Sequence, residues 1–276
     1  MIRTSLFACL IVFVSVAFAT TIVHAQPLPA DIQDIKSKNV LVVGMTSFDN
    51  LPFYGTKDGE VIGLDAEIAR KVAAIIDVPV KFRRDAATFQ DVVDQVRRGE
   101  TPIAISKLSI TPPRLATVAF SEPYARLHQA VLVNRLWLSG NGDQRELSEV
   151  IRDLHGPIGF IRNTAYETFA KLNFPHAPTV PQDTWQQVLD DVMTGKTAVA
   201  YRDEFEIKRI TIDRPESSIT TKTIIITDST DYIAAVVDPK STQLLQIVNF
   251  VIKNDFNNID VRKLVAMYKH MSQGTR

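Results

Sequence analysis

The residues best suited to chemistry lie where an apolar run meets a polar turn, between Ile105 and Arg114. Hydroxyl side chains end the run, and Thr111 stands before Pro112, an arrangement typical of a capped helical turn. Such a turn exposes backbone N–H groups and brings the Arg114 guanidinium close to the end of a strand. A guanidinium can hold a carboxylate through two parallel hydrogen bonds, so this segment predicts a site for a small carboxylate. The alternative is a solvated surface arginine.

Short β-branched runs alternate with amphipathic patterns in the rest of the chain, and these elements must position Arg114. The predicted strands are 40–43, 80–82, 103–106, 130–133, 157–161, 198–201, 223–226 and 233–237, and the predicted helices are 64–76, 89–98, from 164, 185–193, 243–252 and 261–271. Such alternation predicts an α/β fold, here in two lobes, with the C-terminal helices returning to the first. We expect the ligand in a cleft between the lobes, because open α/β sheets bind ligands at the carboxyl ends of strands.

The first 25 residues have the features of a secretory signal peptide. Arg3 is the only charged side chain before Asp31, a short apolar core follows it, and small residues lead up to Ala25. We therefore predict that residues 1–25 are cleaved and that the mature protein is exported. An uncleaved membrane anchor is the alternative, because the apolar character of this segment extends beyond its core.

Composition narrows the possible functions. Cys9 is the only cysteine and lies within the predicted signal peptide, which leaves the mature chain without a disulfide or a cysteine nucleophile. The 31 basic and 31 acidic residues balance, so nothing in the charge favours nucleic acid as a partner. No glycine-rich phosphate loop, His-Glu-x-x-His or Gly-x-Ser-x-Gly motif occurs, so we expect neither a cofactor nor a metal, and no hydrolase nucleophile is indicated.

Three segments together resemble a known family. These are the run from Ile105 to Arg114, the stretch Ala119-Phe120-Ser121-Glu122-Pro123-Tyr124, and an opening at 41–53 and 63–69. The chain resembles the bacterial extracellular solute-binding proteins of family 3, which deliver polar amino acids to ABC transporters. The resemblance extends over essentially the whole mature chain, and its motifs are more specific for the fold than for the ligand.

The resemblance implies a two-lobed periplasmic-binding-protein type II fold with a hinge and an interlobe cleft. It implies that lobe I comprises residues 38–126 plus 239–276, and that lobe II comprises residues 127–238. It also implies a monomeric periplasmic protein that is not an enzyme. Such a protein captures a small zwitterionic or acidic ligand by lobe closure and passes it to the membrane permease of an ABC transporter.

The family's ligand-binding residues match particular positions in the first lobe. Arg114 matches the arginine that grips the α-carboxylate of the ligand. Ser109 matches a residue whose hydroxyl and backbone face the ligand ammonium and carboxylate. Phe89 falls where an aromatic ring covers the ligand side chain, although ordinary core packing would explain it equally well.

Three further matches lie in the second lobe. Thr164 and Ala165 stand at the start of a helix whose first amides complete the carboxylate site in the family, and the alternative is that Asn163 or Thr164 merely caps that helix. Asp203 aligns with the aspartate that receives the ligand ammonium. The alternative role for Asp203 is to cap the helix that follows it.

Several positions depart from the family pattern. Lys107 stands where a small residue is usual, and its ammonium would favour an acidic ligand unless it turns to solvent or pairs with an acid of the other lobe. Asn50 takes the place of an aromatic lid, Ala165 replaces a hydroxyl residue, and Ser47 stands where binders of cationic amino acids carry an acid. These departures argue against lysine or arginine and permit glutamate, aspartate, a small neutral amino acid or a dicarboxylate.

Two other functions stay open on the sequence alone. The same architecture hosts a periplasmic cyclohexadienyl dehydratase, which would need a general acid in the cleft, and no residue stands out for that role by its position. A sensory or regulatory binding module, serving a receptor or a non-ABC transporter, is the other possibility. Fold does not fix function, so the choice depends on the residues of the site.

Overall fold

The computed structural model describes residues 27–141, 146–257 and 259–273. The predicted signal peptide, residues 1–25, lies outside the described residues, and so does Cys9. Within the described ranges, no helix is both long enough and apolar enough to cross a membrane.

Strands and helices alternate, as the sequence patterns predict. The strands are β1 (Leu41–Thr46), β2 (Gly55–Lys57), β3 (Glu60–Ile62), β4 (Val80–Ala86), β5 (Ile103–Ser109), β6 (Ala119–Phe120), β7 (Ala125–Asn134), β8 (Ile158–Ile161), β9 (Thr179–Gln182), β10 (Val199–Asp203) and β11 (Thr221–Val237). The helices are α1 (Ala30–Lys38), α2 (Leu64–Ile76), α3 (Phe89–Arg97), α4 (Pro112–Leu115), α5 (Arg135–Asn141), α6 (Leu147–Arg152), α7 (Ala165–Asn173), α8 (Trp185–Met193), α9 (Glu204–Asp213), α10 (Ser217–Thr220), α11 (Thr242–Asp255) and α12 (Val261–Gln273). Helices α2 and α8 have the predicted bounds.

Within the described residues, nine strands form one central sheet in the order β4-β1-β5-β11-β7-β10-β8-β9, with β6 paired to β11. Strand β1 is parallel to β4 and β5, and β8 is parallel to β9 and β10. Strand β11 pairs antiparallel with both β5 and β7, so it joins the two parallel halves. The predicted α/β fold is therefore confirmed, with long antiparallel strands as the link between its halves.

Apolar side chains form separate cores in the two halves of the sheet. Leu41 of β1 and Leu244 of α11 belong to one core, so the last helices pack with the first lobe. Phe160 of β8 and Tyr201 of β10 belong to a core of the second lobe, and each lobe has a further, smaller core. Separate cores joined by a few strands are typical of lobes that can rotate about a hinge.

Strand β11 passes from one lobe to the other. Ile224 packs against the core of the second lobe, whereas Ile233 and Ala235 belong to the core of the first. The register with β7 shifts between Ile226 and Thr230. We therefore propose that the chain crosses between the lobes within β11, a few residues before the expected boundary at 238.

The prediction of two separate strands at 223–226 and 233–237 was wrong, because β11 runs through both. The polar residues between them, Thr227 to Asp231, have the composition of a turn. In the structure Thr230 and Asp231 pair with β7, and only the residues between Ile226 and Thr230 are absorbed as a bulge, so the strand continues beyond them.

Candidate functional site

Seven of the eight predicted site residues line one small cavity between the lobes. They are Phe89, Lys107, Ser109, Arg114, Thr164, Ala165 and Asp203. Tyr166, Arg202 and Asp231 complete the lining, and the sequence analysis missed these three. The cavity volume is about 20 Å³, room for roughly one water molecule, so an amino acid can enter only if the lining moves apart.

Arg114 presents a buried guanidinium to this cavity and is only 5% exposed. Its Nη1 donates to the carbonyl oxygen of Ser109 at 3.0 Å, and its Nε donates to Gln90 Oε1 at 3.4 Å. Burial lowers the pKa of Arg114 to about 10, against the opposing charges of Asp231 and Asp94. No carboxylate oxygen of the described residues lies within 4.0 Å of the guanidinium, so its positive charge has no direct ionic partner.

The turn that carries Arg114 differs from the predicted one in its hydrogen bonds. Thr111 holds the position before the helix, but its side chain makes no capping bond. Pro112 and Pro113 have no N–H, so the first backbone amide of this turn is that of Arg114 itself. The guanidinium is therefore the main group in this turn that could bind an anion.

Asp231 is the carboxylate that the sequence analysis missed. Its Oδ2 accepts hydrogen bonds from Ser109 Oγ at 3.0 Å and from the Tyr166 hydroxyl at 2.9 Å. Its Oδ1 is buried and has no hydrogen-bond partner among the described residues. Burial raises the pKa of Asp231 to about 6, with a contribution from the charge of Asp203. The available signal was its position two residues before the apolar run at 233–237.

Lys107 reaches across the cavity to the second lobe. Its Nζ donates to Asp203 Oδ2 at 3.0 Å and to Glu206 Oε1 at 2.7 Å, and it lies 4.9 Å from the ring centre of Phe53. The residue has a φ of +49°, which is uncommon for lysine, and its backbone N–H donates to Asp65 Oδ2 at 2.7 Å. Of the alternatives open for Lys107, the structure therefore has the one in which it pairs with acids of the other lobe.

Asp203 and Glu206 face Lys107 from the start of α9. Asp203 Oδ1 accepts from the Glu206 N–H at 3.0 Å, so the helix-capping role is present alongside the ion pair. Glu206 is 3.3 Å from Arg209 Nη2 and 3.9 Å from Arg202 Nη2. Although burial opposes them, the charges of Arg209, Lys107 and Arg202 hold the pKa of Glu206 below its usual range. Both carboxylates thus have cationic partners within the protein.

The start of α7 forms the second lobe's wall of the cavity. Thr164 holds the N-cap position, but its Oγ1 donates to the Ile161 carbonyl at 2.6 Å and makes no capping bond. Ala165 is the first residue of the helix and is buried. The helix start brings its positive dipole end to the cavity, where it favours an anionic group.

A wider cleft adjoins the small cavity and has a volume of about 550 Å³. Phe89 lines both spaces, and its ring packs edge-on against Phe48 with centres 5.5 Å apart. Asn50 lines only the wider cleft, away from Arg114. The Arg202 guanidinium lies 5.2 Å from the ring centre of Trp185 at the junction of the two spaces.

Arg202 and Glu206 could have been found from the position of Asp203. Arg202 precedes it on the same strand, and Glu206 lies one helical turn beyond it. Residues that flank a strand end share its edge of the sheet. Among the described residues, no group of His, Cys, Asp and Glu side chains is arranged to hold a metal ion.

Residues 41–270 match the family model for bacterial extracellular solute-binding proteins, family 3. The chain belongs to this family. The predicted family is therefore confirmed over most of the described chain, and its members are the extracellular binding components that the sequence motifs indicated.

Curated relatives share only part of their length with this chain. The ABC transporter arginine-binding protein 1 of Escherichia coli is 21% identical over 168 residues, which cover 60% of this chain and 64% of that protein. The probable ABC transporter extracellular-binding protein YckB of Bacillus subtilis is 25% identical over 178 residues, or 63% of this chain and 58% of that protein. The chain thus spans less than two thirds of these relatives.

Solved structures support the fold over a larger share of the chain. The amino acid ABC transporter substrate-binding protein AbpA of Streptococcus pneumoniae, bound to L-arginine, has a TM-score of 0.67 at 22% identity and covers 86% of this chain and 98% of its own. The ancestral amino acid-binding protein AncCDT-1, a precursor of cyclohexadienyl dehydratase, has a TM-score of 0.64 at 21% identity and covers 87% of this chain and 98% of its own. The two-lobed fold is confirmed by these matches.

Proposed function

We propose that this protein is the periplasmic binding component of an ABC importer and that it captures a small zwitterionic or acidic ligand of the amino-acid type. The observation that carries the proposal is the buried Arg114 guanidinium, which faces an interlobe cavity without a carboxylate of the described residues within 4.0 Å. A buried charge without a partner is costly, so a protein that retains one has a use for it. That use is to hold the carboxylate of the ligand.

Capture proceeds by closure of the two lobes. The first lobe supplies Arg114 and Ser109, and the second supplies the start of α7, with Thr164 and Ala165. Because the second set reaches the ligand only when the lobes close, its contacts favour the closed form by their differential free energy. A membrane permease then recognises the closed protein and receives the ligand.

The charges around the cavity favour an acidic or neutral amino acid over a cationic one. Lys107, Arg114 and Arg202 line it against two carboxylates, Asp203 and Asp231. The E. coli and S. pneumoniae relatives bind arginine by name, but here Lys107 already pairs with both Asp203 and Glu206, so neither of these acids is free for a ligand guanidinium. We therefore propose that arginine and lysine are not ligands of this protein.

A thermal-shift screen tests this function. The twenty amino acids, succinate and glutarate are each added to the mature protein at pH 7.5, and the unfolding temperature is recorded. At a ligand concentration of 100 Kd, stabilisation is about 2.7 kcal/mol, which corresponds to a rise of roughly 5–10 °C in a chain of this size. A rise with acidic or neutral ligands supports the proposal. No rise with any compound, or a rise with arginine and lysine alone, contradicts it.

A second candidate function is dehydration of a cyclohexadienyl acid. Asp231 favours it, because a buried carboxyl with a pKa of about 6 has the properties of a general acid and lines the cavity. Incubation with prephenate or arogenate, followed by absorbance of the aromatic product, tests it; absence of product excludes this candidate.

A further inference from the structure

Two opposite charges in the cavity have no ionic partner in the described part of the chain. The Arg114 guanidinium has no carboxylate oxygen within 4.0 Å, and Asp231 has no basic nitrogen within that distance. Asp231 is 1% exposed, lines the cavity, and keeps its Oδ1 without any hydrogen-bond donor among the described residues. The site therefore lacks one anionic group at Arg114 and one cationic group at Asp231.

Ser109 connects these two charges. Its carbonyl oxygen accepts from Arg114 Nη1 at 3.0 Å, while its hydroxyl donates to Asp231 Oδ2 at 3.0 Å. The two unpaired charges thus lie on either side of a single residue. In an α-amino acid, the carboxylate and the ammonium are attached to one carbon atom. A ligand of this kind can meet both charges at once.

Asp203 is a less suitable partner for a ligand ammonium, because its oxygens are in use. One accepts from the backbone N–H of Glu206 at 3.0 Å, and the other accepts from Lys107 Nζ at 3.0 Å. A ligand ammonium placed beside Asp203 would also stand close to the Lys107 ammonium. Repulsion between the two cations opposes binding there.

We infer that Asp231 Oδ1 accepts the ammonium of the ligand while Arg114 holds its carboxylate, so that the ligand is an α-amino acid. This inference rests on the proposed function and narrows it, because dicarboxylates and hydroxy acids lack the required ammonium. A ligand ammonium would supply Asp231 with both a hydrogen-bond donor for Oδ1 and an ionic partner for the carboxylate. Asp231 is then a specificity-determining residue of the binding site.

Matched pairs of probes test the inference on the unmodified mature protein. L-Glutamate is compared with L-2-hydroxyglutarate and glutarate, and L-alanine with L-lactate, by calorimetry at pH 7.5. Each pair differs at the α-substituent and keeps the α-carboxylate or its equivalent. The inference predicts that the better-bound amino acid exceeds its hydroxy analogue by about 30-fold or more, the effect of removing one partner of a buried charge pair.

Two outcomes separate the inference from the proposed function. If lactate, hydroxyglutarate or glutarate binds as tightly as its amino acid, the inference is overturned and the proposed capture of a carboxylate stands. If no amino acid and no acid of the wider screen binds, the proposed function itself fails.

The variant Asp231→Asn tests the residue directly. It is expected to weaken the bound amino acid by about 30-fold and to reduce the preference over the hydroxy analogue to a few-fold. Asp228→Asn is the matched control, since Asp228 is an exposed residue of the same strand that pairs with Arg152. If Asp231→Asn folds and keeps the full preference for the ammonium, the inference is wrong. If it does not fold, a structure of the unmodified protein with its amino acid bound decides, and an ammonium placed on Asp203 in place of Asp231 overturns the inference.

Discussion

Two groups of charged side chains line the cavity, and they differ in whether their charges are paired within the protein. In one, Lys107 lies within 3.0 Å of both Asp203 and Glu206. In the other, Arg114 and Asp231 share Ser109 but have no ionic partner among the described residues. We call the first group, in which every charge is paired, the saturated cluster, and the second group the unsaturated region. Ion pairs in the saturated cluster hold parts of the chain together, whereas the charges of the unsaturated region can still pair with a ligand.

This difference indicates separate roles for Lys107 and Arg114, which the sequence alone could not distinguish. Lys107 connects β5 of the first lobe to α9 and belongs to the architecture of the closed protein. The Arg114 guanidinium is buried and so loses its hydration, but it forms no ion pair in return. Burial lowers its pKa for this reason.

Lys107→Met removes the cation from the saturated cluster and leaves Asp203 and Glu206 facing each other while buried. Loss of one partner of a buried ion pair costs about 3–5 kcal/mol in the free energy of unfolding. Urea denaturation of the ligand-free variant measures it. The control is Lys38→Met, which removes an exposed pair with Asp34 and should cost about 0–1 kcal/mol. Equal losses in the two variants would mean that the cluster does not support the fold.

Arg114→Ala breaks the unsaturated region on its cationic side. We expect binding of the cognate ligand to weaken by about 2–5 kcal/mol, because the ligand carboxylate would be buried without its guanidinium. Isothermal calorimetry measures the change. Arg262→Ala serves as the control, since that side chain is 90% exposed and lies outside the cavity. An unchanged affinity in Arg114→Ala would remove the basis of the proposed function.

Asp231→Asn acts on the anionic side and is expected to alter how stability depends on pH. The folded-state pKa of about 6 exceeds the ordinary value of 3.8, so the folded protein retains a proton that the unfolded chain loses. Stability from this group therefore falls as the pH rises from about 4 to 6, by roughly 2–3 kcal/mol, and stays lower above that window. The asparagine variant lacks this loss.

The groups that interact with Asp231 are Lys107, Ser109, Arg114, Tyr166, Tyr201 and Asp203. All of them remain in Asp231→Asn, so a comparison with the unmodified protein isolates the carboxyl. Without ligand, the variant should unfold at a higher temperature than the parent at pH 8 and at a similar one at pH 4. Parallel curves of unfolding temperature against pH would show that Asp231 does not titrate in this range.

Tyr166→Phe makes the smallest change, because it removes one of the two donors to Asp231 Oδ2. That hydrogen bond favours the charged carboxylate, so its loss should raise the pKa of Asp231 further. We expect amino-acid affinity at pH 6 to fall by about 1 kcal/mol and to recover partly at pH 8. Titrations at the two pH values measure this difference, and a uniform loss at both would indicate a packing effect of the ring.

Much of the fold could be predicted because it follows from periodic apolar patterns. Helix α2 reads directly from its repeating apolar face, and β1 from a β-branched run. The join at β11 could not be predicted in this way. Its polar residues have the composition of a turn, and only the partner strand β7, distant in sequence, decides that the strand continues.

Site residues could be predicted from the sequence when they follow a strand that the apolar sequence pattern identifies. Arg114 and Asp203 both have this signal, and both line the cavity. Asp231 does not have this signal. It lies inside β11, whereas the apolar pattern predicted a strand only from Ile233 onward. The pairing of Lys107 with Glu206 depends on a distance between residues 99 positions apart, which no local pattern contains.

A crystal structure of the mature protein with its best-bound amino acid would show which side chains hold the ligand. We expect the ligand carboxylate to accept hydrogen bonds from the Arg114 guanidinium at about 2.7–2.9 Å, between closed lobes. We also expect the ligand ammonium beside Asp231, with Lys107 still on Asp203 and Glu206. A structure in which the Arg114 guanidinium contacts no ligand atom and points to bulk solvent would rule out the proposed mode of capture.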